Sequence, residues 1–144
     1  HVVSYVEPKP TLQWQVKPEK REILGHSCQR AEVSFGGRQW IAWFTSEIPL
    51  SEGPYKFGGL PGLILEVADS EGDYRYTCIG IANLSAGENI VRWKWNQRPT
   101  MRKELEKIIV QLYANPEQAI KALGGRMGFK GDPMLNLPYN PIEK

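Results

Sequence analysis

The side chains that could bind a metal or act as a nucleophile are few. His26 and Cys28 are two positions apart, so they project from the same side of an extended strand. Together with Cys78 they offer three ligands of the kind that zinc prefers, but no fourth is visible, since His1 is the only other histidine. A Cys28 nucleophile would need His26 as its base, and their Cβ atoms, about 6 to 7 Å apart on one strand, make that hydrogen bond strained.

Two groups of carboxylates are the remaining candidates for chemistry. Glu47 and Glu52 lie on either side of a proline, and they form a candidate acid/base pair or else solvate a loop and accept backbone N–H bonds. The turn Asp69–Asp73 has carboxylates at alternate positions, which suits Ca²⁺, but it lacks a distal bidentate acid at the right spacing. The sequence therefore predicts no catalytic residue, no metal and no cofactor. An enzyme built on Cys28 and His26 remains an alternative.

The clearest local element is a β-hairpin. Gly36-Gly37 suits a two-residue turn with positive φ angles, and it joins the predicted strands Cys28–Phe35 and Arg38–Phe44. Both faces of the second strand are apolar, so this strand is either central in a sheet or has one face toward a cavity. The candidate lining of such an apolar pocket is Trp40, Trp43, Phe44 and Phe57.

Three further segments are predicted as strands. Thr11–Val16 alternates weakly, and Tyr74–Ala82 follows the acidic turn. Ile90–Trp95 alternates aromatic with basic residues, a pattern that suits stacking on single-stranded nucleic acid. The same pattern is typical of a strand with one solvent-exposed face, which we favour.

The C-terminal third is predicted to be helical and then irregular. Thr100 is a candidate N-cap of a first helix, and Asn115-Pro116 opens a second that ends at Gly124-Gly125. The composition of Arg126–Lys144 predicts an irregular tail lying across the sheet, held by Met134, Leu135, Leu137 and Tyr139. These elements predict an α+β fold, in which a curved antiparallel meander, with a half-barrel as one version, precedes two helices and the tail.

A loop rich in glycine and proline precedes another predicted strand. Pro61 fixes its own φ and biases Leu60 toward extended geometry, and the aliphatic residues that follow predict a strand with a buried face. We interpret the loop as a structural turn, with a ligand-lining or peptide-binding loop as the alternative. We call it the motif loop, and it consists of Gly58, Gly59, Leu60, Pro61, Gly62, Leu63 and Ile64.

The motif loop resembles the family named after its Gly-Leu-Pro-Gly-Leu-Ile motif, secreted proteins of Gram-negative bacteria without an assigned biochemical role. His26 departs from the family pattern, which has an aromatic residue such as Tyr at this position. The family usually has a signal peptide and further strands before the equivalent of Trp14, so we expect this chain to be the C-terminal portion of a longer precursor. The resemblance covers nearly the whole chain, at Trp14, Ile23–Ala31, Arg38, Ala42–Thr45, Glu47–Pro49, Gly53–Phe57 and Tyr139–Glu143.

The resemblance implies an extracytoplasmic location, in the periplasm or the outer cell envelope of a Gram-negative bacterium. In a secreted protein, Cys28 and Cys78 are expected to form a disulfide between neighbouring strands, with two separate buried thiols as the alternative. The aromatic residues on both faces of the Trp40–Phe44 strand, together with the motif loop, lead us to expect a non-catalytic binding or carrier module for an apolar ligand or a partner protein. A scaffold or assembly subunit of a cell-envelope complex is the alternative.

Composition agrees with this class of protein. The chain has 144 residues, 41% of them hydrophobic and 24% charged, which predicts one domain over residues 1–144 with its own core. No apolar run approaches the roughly 18 to 20 residues of a membrane-spanning helix. A net charge of +2 and a pI near 8.6 are too small to indicate a nucleic-acid partner. The ligand, the partner and the oligomeric state are not identified by the sequence.

Overall fold

A computed structural model describes residues 2–83, 85, 87, 91, 96–122, 124 and 139–144. The chain divides into two compact units. One unit comprises His1–Pro8 and Ile90–Asn140, and the other comprises Lys9–Asn89 and Pro141–Lys144. The prediction of one domain concerns cooperative folding, which this division does not test, and it stays a prediction.

The prediction of an α+β fold is confirmed. Five antiparallel strands form an open meander sheet in the order β2-β3-β4-β5-β6, and two short helices follow it along the chain. In chain order, the elements are β1 (Val2–Ser4), β2 (Gln15–Ile23), β3 (His26–Phe35), β4 (Arg38–Thr45), β5 (Leu63–Asp69), β6 (Arg75–Thr77), β7 (Gln97–Pro99), α1 (Arg102–Ala114) and α2 (Pro116–Ala122).

The predicted hairpin between β3 and β4 is confirmed. Phe35 pairs with Arg38, and both turn glycines have positive φ, 57° at Gly36 and 72° at Gly37. Side chains disfavour such angles because Cβ approaches the following carbonyl oxygen, whereas glycine adopts them freely. Glycine at both positions therefore fixes the register of the two strands.

One face of the sheet forms the core. Trp40 and Phe44 of β4 point into it together with Ala42, as predicted, and Trp43 lies on the opposite face. Phe57 occupies the centre, where its ring centroid lies 4.7 Å from that of Trp40. The rings of three further residues surround Phe57, namely Trp14, Phe35 and Tyr55.

The lengths of the two outer strands differ from the predictions. The first strand spans Gln15–Ile23 rather than Thr11–Val16, because an edge strand rich in Lys, Arg and Glu lacks the apolar alternation that marks a half-buried strand. The last strand of this sheet is only Arg75–Thr77 rather than Tyr74–Ala82, although the Cys78 N–H beyond it still donates to the Leu65 carbonyl at 2.8 Å. Both edges of the sheet are therefore less regular than its centre.

The other unit contains the short strands and the helices. β1 pairs with β7 in parallel, and the Thr100 N–H donates to the Ser4 carbonyl at 2.8 Å. Met101, rather than Thr100, is the N-cap of α1, because the Thr100 hydroxyl donates to the Glu104 carboxylate instead. α2 begins at Pro116 as predicted. The predicted strand Ile90–Trp95 lies outside the described residues except for Val91.

Only the end of the predicted tail is described. Met134, Leu135 and Leu137 lie outside the described residues, as does Gly125 at the expected end of α2. Pro141–Lys144 belongs to the same unit as the sheet, and Lys144 donates its backbone N–H to the Gly36 carbonyl at 2.6 Å. The last residues thus pack against the turn between β3 and β4.

Candidate functional site

The motif loop is held by hydrogen bonds to its backbone and by buried apolar side chains. Leu60 is buried in the core, and the Gly62 N–H donates back to its carbonyl across Pro61 at 2.8 Å. The indole N–H of Trp14 donates to the Gly58 carbonyl at 2.8 Å. Leu63 donates its N–H to the Ile48 carbonyl at 3.0 Å. These contacts support the structural interpretation of the loop.

Gly62 is the most constrained residue of the motif loop. Its φ of 158° lies in a range that residues with a side chain rarely adopt, so the backbone conformation itself favours glycine. A Cβ atom at this position would lie 2.1 Å from the carbonyl oxygen of Thr45 and 2.9 Å from the Ser46 nitrogen. Only a residue without a side chain allows the two backbone segments to approach so closely.

The four residues predicted to line an apolar pocket do not line one together. Trp40, Phe44 and Phe57 are buried in the packed core. Trp43 lies on the opposite face, where the guanidinium of Arg21 stacks 4.3 Å from its ring centroid. The sequence correctly indicated two apolar faces on β4, but one is filled by aromatic rings and the other is covered by charged side chains.

The prediction of a disulfide between Cys28 and Cys78 is wrong, because both cysteines are free. Cys28 lies in β3, whereas Cys78 follows β6, and β4 and β5 lie between these two strands. Three strand spacings of about 4.8 Å separate the two positions, well beyond the reach of a disulfide. The same separation excludes a shared zinc site of His26, Cys28 and Cys78.

We expect two free thiols after denaturation without reductant, counted with Ellman's reagent. In the native protein Cys78 should react first, since Cys28 is fully buried and burial raises the pKa of its thiol. A Cys78→Ser variant should therefore lose the fast phase, and Cys28→Ser should lose the slow one. A single thiol class, or none, would contradict this arrangement.

His26 is paired with a carboxylate rather than with Cys28. The Nδ1 atom of His26 lies 2.7 Å from Glu47 Oε2, and the other carboxylate oxygen accepts the Ser27 backbone N–H at 3.0 Å. The Cys28 thiol donates to the His26 backbone carbonyl and not to the imidazole. The Cys28 thiol is buried, its pKa is raised, and the imidazole of His26 is not its hydrogen-bond partner, so these contacts do not support a role for Cys28 as a nucleophile. Glu47 binds the start of β3, and it does not pair with Glu52 for acid/base chemistry.

The contact with Glu47 makes stability depend on pH. The hydrogen bonds from His26 and then from the Ser27 N–H lower the pKa of Glu47 below its ordinary value of 4.5. Because the pKa of Glu47 is lower in the folded protein than in the unfolded chain, ionised Glu47 stabilises the fold at pH values above its unfolded pKa. This contribution is lost as the pH falls through the folded pKa. We expect Glu47→Gln to lower the melting temperature by a few degrees at pH 7, and the difference from the parent to shrink below pH 4. An equal difference at pH 7 and pH 3 would contradict this role.

The turn considered for Ca²⁺ holds the guanidinium of Arg38 instead. Arg38 Nη1 donates to Asp69 at 2.7 Å, to Asp73 at 2.8 Å and to Glu71 at 3.0 Å. The side chains of Arg38 and Asp69 are fully buried. Each therefore compensates the buried charge of the other. Among the described residues this is the one cluster with spacing suited to a metal, and a side chain of the protein supplies its cation.

An open apolar groove lies beside β6, and sequence reasoning did not indicate it. It has a volume of about 550 Å³ and lies between β5, β6 and the loop Glu52–Pro54. Beyond the groove, Ile79 is 94% exposed and Ile81 is about half exposed. We call this feature the β6 groove, and its apolar lining is Pro54, Leu63, Ile64, Leu65, Tyr76 and Cys78. Two residues of the motif loop, Leu63 and Ile64, thus contribute to its wall.

Two solved structures have a distant likeness to this chain. Two crystal structures of PNGF-II, in the P21 and C2 space groups, are each 17% identical to this chain, with TM-scores of 0.40 and 0.42. The matches cover 65% and 69% of this chain but only 17% and 18% of those proteins. This chain therefore spans less than a fifth of their length. A search of curated proteins finds no significant match.

None of the described helices is long and apolar enough to cross a bilayer.

The family comparison concerns the segment that contains the motif loop. Residues 36–66, from the β3–β4 turn into β5, match the profile of a family described as "Protein of unknown function (Porph_ging)". Over this segment, the chain is similar to the Bacteroidetes family of the Gly-Leu-Pro-Gly-Leu-Ile motif.

Proposed function

We propose that this protein is a non-catalytic, extracytoplasmic binding module whose partner is another protein that docks at the β6 groove. The observation that carries the proposal is an apolar groove continuous in sequence with an exposed apolar segment. Ile79 and Ile81 follow β6 directly, and Ile79 is almost fully exposed. Contiguous exposed apolar surface of this kind marks interaction sites on soluble proteins.

The edge of the sheet supports a partner with an extended segment. Among the described strands, none pairs with the outer side of β6. Free N–H and C=O groups along a strand edge accept an added strand, and alternate side chains of that strand can enter an adjoining groove. Arg75 and Glu52 supply opposite charges in the lining of the same groove, which favours a polar peptide backbone over a purely hydrocarbon ligand.

A partner protein is better supported than a small apolar ligand. Among the described residues, Phe57 and the rings around it fill the face of the sheet where a carrier would have an enclosed, preformed cavity. The β6 groove is open to solvent along one side. An assembly role in a cell-envelope complex is one form of this proposal.

Photo-crosslinking in the cells that naturally produce the protein tests it. A photoreactive amino acid in place of Thr77, which lines the groove, should give one discrete protein adduct. The same amino acid in place of Glu22, exposed on β2 at the other edge of the sheet, serves as the matched control and should not give that adduct. Ile79→Asp should abolish the Thr77 adduct without changing the melting temperature of the purified protein.

Two results would contradict the proposal. Equal adducts from Thr77 and Glu22 would mean that the groove has no preferred partner. An adduct at Thr77 with the mass of a lipid, and no protein adduct, would replace the partner protein with an apolar ligand.

A further inference from the structure

The segment Pro141–Lys144 is bound at both ends by groups on and beside the β3–β4 turn. Arg38 donates two N–H groups to the Pro141 carbonyl, from Nε at 3.2 Å and from Nη2 at 2.9 Å. At the other end, the Lys144 backbone N–H donates to the Gly36 carbonyl at 2.6 Å. Backbone bonds at both ends hold the segment in a fixed register on the turn.

Side chains of the segment are recognised as well. The Glu143 carboxylate is almost buried, and it accepts hydrogen bonds from the Tyr55 hydroxyl and, at 2.5 Å, from Lys56 Nζ. Lys144 Nζ lies 2.6 Å from the Glu71 carboxylate, and Ile142 packs against the core. A negative and a positive side chain of the segment thus each face the opposite charge.

The shape of the turn makes room for the segment. A Cβ atom on Gly36 would lie 2.7 Å from the Glu143 side chain and 3.0 Å from its Cα. Glycine at this position therefore has two roles. It adopts the positive φ of the turn, and it leaves room for the Glu143 side chain. We call this surface the tail site, and it consists of Gly36, Gly37, Arg38, Tyr55, Lys56 and Glu71.

Tyr55 is held in a strained conformation at this surface. Its φ of 54° is unusual for an aromatic residue, because Cβ approaches the following carbonyl oxygen at such angles. Partial burial, together with the hydrogen bond to Glu143, raises the pKa of its hydroxyl to about 12. Backbone strain of this kind persists where the surroundings hold it, and it clusters at binding sites.

We propose that the tail site is a recognition site for extended peptides with the pattern Pro-aliphatic-Glu-Lys, and that it binds this segment from a second copy of the chain as well as from its own. The contacts described above are made by Pro141–Lys144 itself, and they are the basis for recognition of a separate peptide of this sequence. The site shares no residue with the lining of the β6 groove. Exchange of the segment in both directions joins two copies in a closed two-fold dimer, whereas exchange in one direction leaves one site and one segment open.

Fluorescence anisotropy with the full chain tests peptide recognition. The probe is a fluorescein-labelled peptide, Asn-Pro-Ile-Glu-Lys-amide. The tail variant, Ile142→Asp with Glu143→Arg, leaves the site intact but prevents its own segment from occupying it. This variant should bind the probe at least about tenfold more tightly than the parent, in which the attached segment competes at a high effective concentration. A probe with Gln in place of its Glu should bind about tenfold more weakly than the original probe.

The matched control changes the site and leaves the segment intact. Lys56→Met, added to the tail variant, should return probe binding to the parental level or below. A mixture of the tail variant with the Lys56→Met single variant should form a dimer in sedimentation, because one partner has an open site and the other a free segment. Neither variant should dimerise alone.

Several outcomes would overturn the proposal. Equal affinity of the parent and the tail variant for the probe, binding insensitive to Lys56→Met, or a mixture that sediments as monomers at saturating concentration would each do so. If the tail variant does not fold, hydrogen exchange on the parent decides instead. Excess unlabelled peptide should then speed exchange at residues 141–144, and unchanged exchange would contradict a replaceable segment.

Discussion

Gly62→Ala is expected to destabilise the protein by about 3 kcal/mol or more. The added methyl group would lie 2.1 Å from the Thr45 carbonyl oxygen, which is backbone and cannot rotate away. Thr45 is fully buried at the end of β4, where its pairing with Leu63 holds the strand in place. Urea unfolding at 25 °C, followed by tryptophan fluorescence, measures the change in free energy.

Two other glycines provide the controls for Gly62→Ala. Gly59 lies in the same motif loop with a φ of 89° and no atom within 4 Å of an added Cβ, so Gly59→Ala should cost only about 1 kcal/mol, from backbone strain. Gly80 has neither a close neighbour nor a positive φ, so Gly80→Ala should be nearly neutral. If Gly62→Ala were as stable as Gly80→Ala, the close approach to Thr45 would not exist in solution.

Arg38→Met is expected to lower the equilibrium constant for folding by a factor of about 100 or more. The variant leaves the fully buried Asp69 carboxylate without its cation, beside Asp73 and Glu71. It also removes the two donors to the Pro141 carbonyl. Chemical denaturation at pH 7 measures the loss, and circular dichroism shows whether a folded population remains.

A second substitution separates charge from packing in that result. Asp69→Asn in the Arg38→Met background should recover part of the loss, because the amide carries no charge and its oxygen can still accept the Tyr74 N–H. Arg75→Met, which removes an exposed arginine 3.4 Å from Glu66, is the matched control and should have little effect. A double variant no more stable than Arg38→Met would assign the loss to packing instead.

The centre of the sheet could be predicted from the sequence because its signals are local. Gly36-Gly37 marks a turn, and the alternation on both sides of it assigns the core face of β4. β2 gives a weaker signal, since its charged residues Lys17, Glu19 and Arg21 form ion pairs with residues of β3 and β5. Ion pairs between residues of different strands produce no periodic pattern in the sequence of either strand.

The candidate sites were harder to predict because they depend on strand order. Cys28 and Cys78 were assigned to neighbouring strands, but spacing along the chain does not say that two other strands intervene. The sequence predicts no metal at the acidic turn Asp69–Asp73, and the cation that the turn holds is Arg38, which strand pairing brings next to it. The β6 groove combines residues from three segments, and no single segment predicts it.

The attachment of Pro141–Lys144 to the β3–β4 turn has a consequence for the order of folding. The five strands of the meander pair with their neighbours in sequence, so these contacts are much closer along the chain than those of the tail and can form earlier. The bonds from Arg38 to Pro141 instead join residues 103 positions apart. During synthesis the hairpin leaves the ribosome long before its tail, and Arg38 meets the acidic turn first. We therefore expect the sheet to assemble around Arg38 and the last four residues to dock in a separate, later step.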